Sequence, residues 1–156
     1  YNFGANNPER VRKGFRLLLL SSVIYAACIW AVAELLPGVF VTIFTNDLQL
    51  AEFARWAMRI YMAAVVLMGA QIACQQTFIA FGNSKISAFL AMFRKIIVLI
   101  PLIYILPVFL EDNVQAVFLA EPIADVIAVA TTLILFRKNF KKVLVEMKQK
   151  SETQDI

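Results

Sequence analysis

The stretch VQAVFLAEPIADVIAVATTLILF, residues 114–136, decides how this chain is read. Outside its centre it is apolar except for Gln115, Thr131 and Thr132. A helix needs about 20 such residues to cross the hydrocarbon of a bilayer, and this run supplies them. Yet Glu121, Pro122 and Asp125 stand in its middle. A charge at the bilayer centre costs ~2.5–3.5 kcal/mol on insertion scales. A proline takes one hydrogen bond out of the helix.

Three more apolar runs precede it, and roughly these spans follow: 15–44, 54–82, 84–107 and 113–137, with 138–156 as a tail. The first apolar run, Leu17–Leu36, stops before Pro37–Gly38. Its helix is expected to begin earlier, with Asn7 as cap, Pro8 at the first helical position and Glu9 at the positive end of the dipole. Gly82–Asn83 is the stop signal of the second span. In the third, only Ile96–Leu110 is free of charge, or ~22 Å of helix, so the span must reach back past Arg94 and Lys95. Pro101 and Pro107 are expected to bend its far half. Composition agrees with the spans. The chain is 61% hydrophobic, against about 45–50% in soluble domains, and one core of this size cannot hide so much apolar surface. The fold class is therefore all-α and integral to a membrane.

The basic residues set the orientation. All Lys and Arg except Arg55 and Arg59 fall beside the N-terminal loop, the loop between spans two and three, and the tail. The opposite loops carry Asp47, Glu52, Glu111 and Asp112. Positive-inside then places the N-terminal loop and the C-terminus in the cytoplasm of a multi-pass protein. The charge of +4 follows from that topology and is no sign of nucleic acid as a partner. Membrane lipids are the expected surroundings, and the lysines after Phe136 are an anchor that can touch anionic headgroups.

Several chemistries are excluded. Histidine is absent, so imidazole catalysis, zinc motifs and Ser–His–Asp triads have no basis. No GxxxxGK[ST], GxGxxG or GxSxG occurs. Cys28 and Cys74 lie in apolar runs without CxxC spacing and read as buried thiols, not as a metal site or disulfide. No catalytic residue, metal or cofactor is expected, and the chain is read as no enzyme. It opens on Tyr1 in loop-like sequence without a signal peptide, so it reads as the later part of something longer.

YNFGANNPERVRKGFRLLL (1–19), FIAFGNSKISAFLAMFRKIIVLIPLIYILP (78–107) and EPIADVIA (121–128) together resemble MATE (multidrug and toxic compound extrusion) transporters. The first is similar to their cytoplasmic loop and following helix, the second to their penultimate hairpin and helix, the third to their last helix. The resemblance implies a twelve-helix fold of two six-helix lobes, with the four spans here matching the ninth to twelfth helices. It implies export of organic cations and other drugs across the cell membrane in exchange for H⁺ or Na⁺. It also implies partners, namely the remaining N-terminal helices of the same transporter. One departure stands out. The family's coupling carboxylates lie mostly on the first helix of a lobe and, in some members, on the tenth, and the span matching the tenth has no carboxylate between Arg59 and Lys85.

The residues themselves point to AEPIAD. Glu121 and Asp125 are four apart and share a helical face. Asp125 lies ~18 Å along the helix from Asn113, near mid-membrane. The two charges can sit together only with water, a proton or a cation. Pro122 frees the carbonyl of Phe118, which with the carboxylates makes an oxygen-rich pocket suited to a hard cation. These three are the candidates for ion coupling or substrate contact. A structural reading stays open beside it, in which the proline only kinks the helix and Asp125 pairs with a neighbouring helix. Arg94 is the candidate for an ion pair, although snorkelling toward the cytoplasm is the simpler expectation for Arg94 and Lys95. Gln71, Gln75 and Gln76 are candidates to line a polar cavity, or to bond between helices. A four-span subunit without transport of its own, a lipid-linked-sugar flippase of the same superfamily and an intramembrane hydrolase are the rival readings.

Overall fold

The structure is a computed structural model, and it describes residues 1–154. Its elements are α1 (Pro8–Leu35), α2 (Pro37–Phe44), α3 (Leu48–Met62), α4 (Val65–Ala80), α5 (Ser84–Met92), a π-helical turn (Phe93–Leu99), α6 (Ile100–Phe109) and α7 (Asn113–Gln154). Among the described residues there is no strand.

Local chemistry accounts for most boundaries. Asn7 caps α1, its Oδ1 accepting from the Arg10 amide, with Pro8 at the start. Leu36 leaves helical geometry (φ −123°, ψ 39°) because it precedes Pro37. That break divides the expected first span into α1 and the short α2. Asp47 caps α3 and Asp112 caps α7 through side-chain oxygens. At the end of α4, Gly82 takes φ +79°, the Asn83 amide donates to the Phe78 carbonyl and the Gly82 amide to that of Ile79. This is a Schellman stop, and it needs the glycine.

Three helical stretches are long and apolar enough to cross a membrane: Pro8–Leu35, Ser84–Phe109 and Asn113–Lys150. A fourth crossing exists if α3 and α4, which meet at a bend of 42°, form one broken span. No proline or glycine stands at that bend; Ala64 makes it, with φ −103° and ψ 2°. Beyond Phe136 α7 runs on to Gln154, so residues 138–154 of the expected tail continue the same helix.

Packing is inverted relative to a soluble protein. Large apolar side chains such as Leu17, Ile24, Tyr25, Ile97, Tyr104 and Ile134 face outward, while Gln71, Thr77, Ser87, Glu121, Asp125 and Thr132 are buried. Small residues bring the helices close. Gly69 of α4 lies against the α1 backbone at Ser22–Val23. Ala116, Ala120, Ala124 and Ala128 form a buried stripe along α7. At the basic end, Phe15, Phe78, Phe136 and Phe140 stack into an aromatic cluster with Cys74 and Leu90 beside it. Cys74 is buried as expected, but Cys28 is exposed on the outward apolar face of α1.

Candidate functional site

The site forms where α7 meets α3 and the π turn. Glu121 and Asp125 lie one turn apart on the buried face of α7, 7% and 1% exposed. The helix passes through Pro122 without ending. Contacts Tyr61–Glu121 and Phe78–Phe136 have nearly the same offset in sequence, so α3–α4 and α7 run parallel. That register brings Tyr61 to the level of Glu121.

Arg94 lies between the two carboxylates. Its Nη2 donates to Glu121 Oε1 at 2.8 Å, and its Nε and Nη2 both reach Asp125 Oδ1. Glu121 Oε1 also accepts from Lys95 Nζ at 3.2 Å and from Tyr61 Oη at 3.4 Å. The expected snorkelling of Arg94 is therefore corrected: its guanidinium turns inward to the acids. Lys95 also touches Glu121, though its side chain remains 55% exposed. The reason is energetic. Two adjacent carboxylates in an apolar span need compensation, and a planar guanidinium can serve both at once.

Both cations of the pairing stand on the π turn. Successive α-helical residues point ~100° apart. Arg94 and Lys95 lie in the wider π turn, in which the Ile100 amide donates to the Lys95 carbonyl, and both long side chains reach Glu121. Pro101 has no N–H to give, so the α-helical ladder is already interrupted there. Turns of this kind occur often at functional sites.

The other candidates fall elsewhere. Gln71 is buried on α4 with its Oε1 unpartnered, as is Thr132 Oγ1 on α7. Gln75 is half-buried and Gln76 exposed. None of the three glutamines bonds to Glu121, Asp125 or Arg94. The oxygen pocket expected for a hard cation instead holds guanidinium and ammonium donors, and among the described residues no group of three or more Cys, Asp or Glu side chains is placed to hold a metal. A cavity of ≈ 790 Å³ at the basic end, between Phe3–Asn6 and the α7 residues Val143 and Met147, lies ~30 Å along the helix from Asp125 and holds none of these charges. Sequence reading missed Tyr61. A tyrosine in an apolar helix is common, and only the register of α3 against α7 makes it a partner.

Comparison with known proteins gives three results. The MatE family matches over residues 1–105, which takes in Tyr61, Arg94 and Lys95 and stops short of the two carboxylates. A solved chain titled protein A superposes with a TM-score of 0.82 at 32% identity, covering 93% of this chain and 32% of that one. The chain thus spans about a third of the solved chain's length. No curated protein matches.

Proposed function

The chain belongs to the MatE family, and from that premise we propose that it forms part of a multidrug or xenobiotic efflux antiporter of the cell membrane, driven by H⁺ or Na⁺. In this reading the C-terminus is cytoplasmic, and the remainder of the transporter supplies the other lobe and most of the cavity for organic cations and other drugs. Glu121 and Asp125 are the place where one cation is exchanged for another. One observation carries the reading: two carboxylates are buried inside an apolar span and balanced by cations from a neighbouring helix. Charges in spans are expensive and mark ion or substrate pathways by default. A pair of acids served by side chains rather than a fixed metal can trade its counter-ion.

The mechanism follows from the donor set. Arg94 and Lys95 neutralise the acids in the state described, so the site rests without net charge. A proton or Na⁺ arriving from one side competes with these donors for the same oxygens, and an organic cation arriving from the other does so too. Exchange results if the two cations cannot bind together. Tyr61 adds a neutral donor to Glu121 and positions that carboxylate.

The test is gradient-driven drug efflux from vesicles reconstituted with the whole transporter. Asp125→Asn keeps the shape and removes the charge. It is expected to bind drug yet lose most of the efflux driven by an imposed pH or Na⁺ gradient. Glu121→Gln is expected to lose less, because Asp125 retains Arg94. Efflux by Asp125→Asn at the wild-type rate would show that the acids are structural.

A further inference from the structure

Four charged side chains meet in the site and sum to zero, but they are not equivalent. Lys95 touches Glu121 alone and is largely open to its surroundings. Arg94 touches both acids, and among the described residues it is the one cation paired with Asp125. If Arg94 left, Asp125 would remain as an uncompensated charge, 1% exposed, inside an apolar span, which strongly destabilises a fold. Any departure of Arg94 must therefore be coupled to the arrival of another cation.

We propose that Arg94 is a resident counter-cation: it holds Glu121 and Asp125 when no transported cation does, and a monovalent organic cation of diffuse charge enters by displacing it. The proposal rests on the reading above that the two carboxylates are the exchange site. The ligand class follows from what the site already holds. A guanidinium is planar, delocalised and weakly hydrated, whereas an ammonium is compact and strongly hydrated. The acids take the guanidinium at their centre and leave the ammonium at the rim.

The π turn supplies the means of departure. It lies within a continuous helical stretch, between α5 and α6. Returning it to α-helix rotates Arg94 relative to α6 by about one residue step, ~100°, which carries the guanidinium off the face of α7. The interrupted ladder at Pro101 lets this happen without unfolding α6.

The experiment uses the purified whole transporter, as wild type, Arg94→Lys, Arg94→Ala and Arg94→Ala/Asp125→Asn. Thermal stability is measured with millimolar methylguanidinium or NaCl, and tetraphenylphosphonium binding by equilibrium dialysis. Arg94→Ala is expected to melt below wild type and to recover with methylguanidinium, which leaves wild type and the double variant unchanged. If Arg94 occupies the acids in nine of ten wild-type molecules, tetraphenylphosphonium binds Arg94→Ala about tenfold more tightly, with Arg94→Lys between. Should Arg94→Ala fail to fold, Arg94→Lys decides, since it keeps the charge and loses the two-acid grip. Absence of tighter binding in the variants overturns the proposal, as does an equal methylguanidinium response in the double variant. Recovery with NaCl but not with methylguanidinium overturns the assignment to a diffuse organic cation. Unchanged binding in the Arg94 variants beside an inactive Asp125→Asn sinks this proposal alone; a fully active Asp125→Asn sinks the exchange-site reading and this proposal with it.

Discussion

Gly69→Ala tests how the site is held in register. Gly69 lies where α4 crosses α1, and a Cβ there would stand 2.6 Å from the Ser22 carbonyl oxygen, 2.9 Å from Val23 Cα and 3.0 Å from the Ser22 carbonyl carbon. All three are main-chain atoms, so no rotamer relieves them. The closest contact is about 0.8 Å inside the 3.4 Å at which ordinary contact begins, so the helices must part or tilt. Overpacking typically costs 1–3 kcal/mol, and a clash with backbone belongs near ~3. Alanine's better helix propensity offsets about 1 kcal/mol of this, leaving a net loss of ~2 kcal/mol. Gly14→Ala is the control: Gly14 is helical, and a Cβ added to it would meet nothing within 4 Å, so the variant should gain up to ~1 kcal/mol from propensity alone. Heating the detergent-solubilised whole transporter and counting the fraction that stays monodisperse orders the variants. Gly14→Ala should outlast wild type and Gly69→Ala should fall below it. A Gly69→Ala protein as stable as wild type would refute the close crossing. The crossing also matters for the site, because α4 carries α3, and with it the Tyr61 hydroxyl, 3.4 Å from Glu121.

Two further predictions follow from α7 and the loops. Pro122→Ala gives the Phe118 carbonyl a helical donor and removes an interior proline worth ~3 kcal/mol against alanine in an unconstrained helix; expression should hold or improve while the ion dependence of efflux weakens, and unchanged ion dependence would assign the proline to packing alone. Single cysteines at Glu111 and Lys85, in a background lacking Cys28 and Cys74, should react with an impermeant thiol reagent on intact cells at Glu111→Cys and stay unlabelled at Lys85→Cys, and the reverse pattern would invert the topology.

Much of the scaffold was legible because its signals are local. Asn7–Pro8 opens α1, Gly82 closes α4 and Pro37 interrupts the first span, each through a backbone rule that acts within a few residues. The bend between α3 and α4 was not legible. Residues 61–64 read Tyr-Met-Ala-Ala, which are acceptable helix formers, so tertiary packing makes that break. The π turn was hidden for a similar reason: a hydrophobic pattern read at 3.6 residues per turn cannot register one wider turn, and Pro101 only announces that something yields nearby.

The candidate site divides along the same line. AEPIAD declares its own cost, because two acids and a proline in an apolar run break the rules of a span wherever they occur. What offsets the cost is 26 to 60 positions away, at Arg94, Lys95 and Tyr61. Helical spacing pairs residues three or four apart and says nothing at that range. Snorkelling was the simpler expectation for Arg94 because a lone arginine in a span lowers its energy by reaching water. Burying it becomes favourable only once α7 presents two carboxylates on one face, and those carboxylates are tolerable only once Arg94 arrives. Each half violates the rules of a span by itself, and the pair is consistent with them. Removing either half therefore leaves the other as an uncompensated charge in an apolar span, since Arg94 and the two carboxylates are each other's partners.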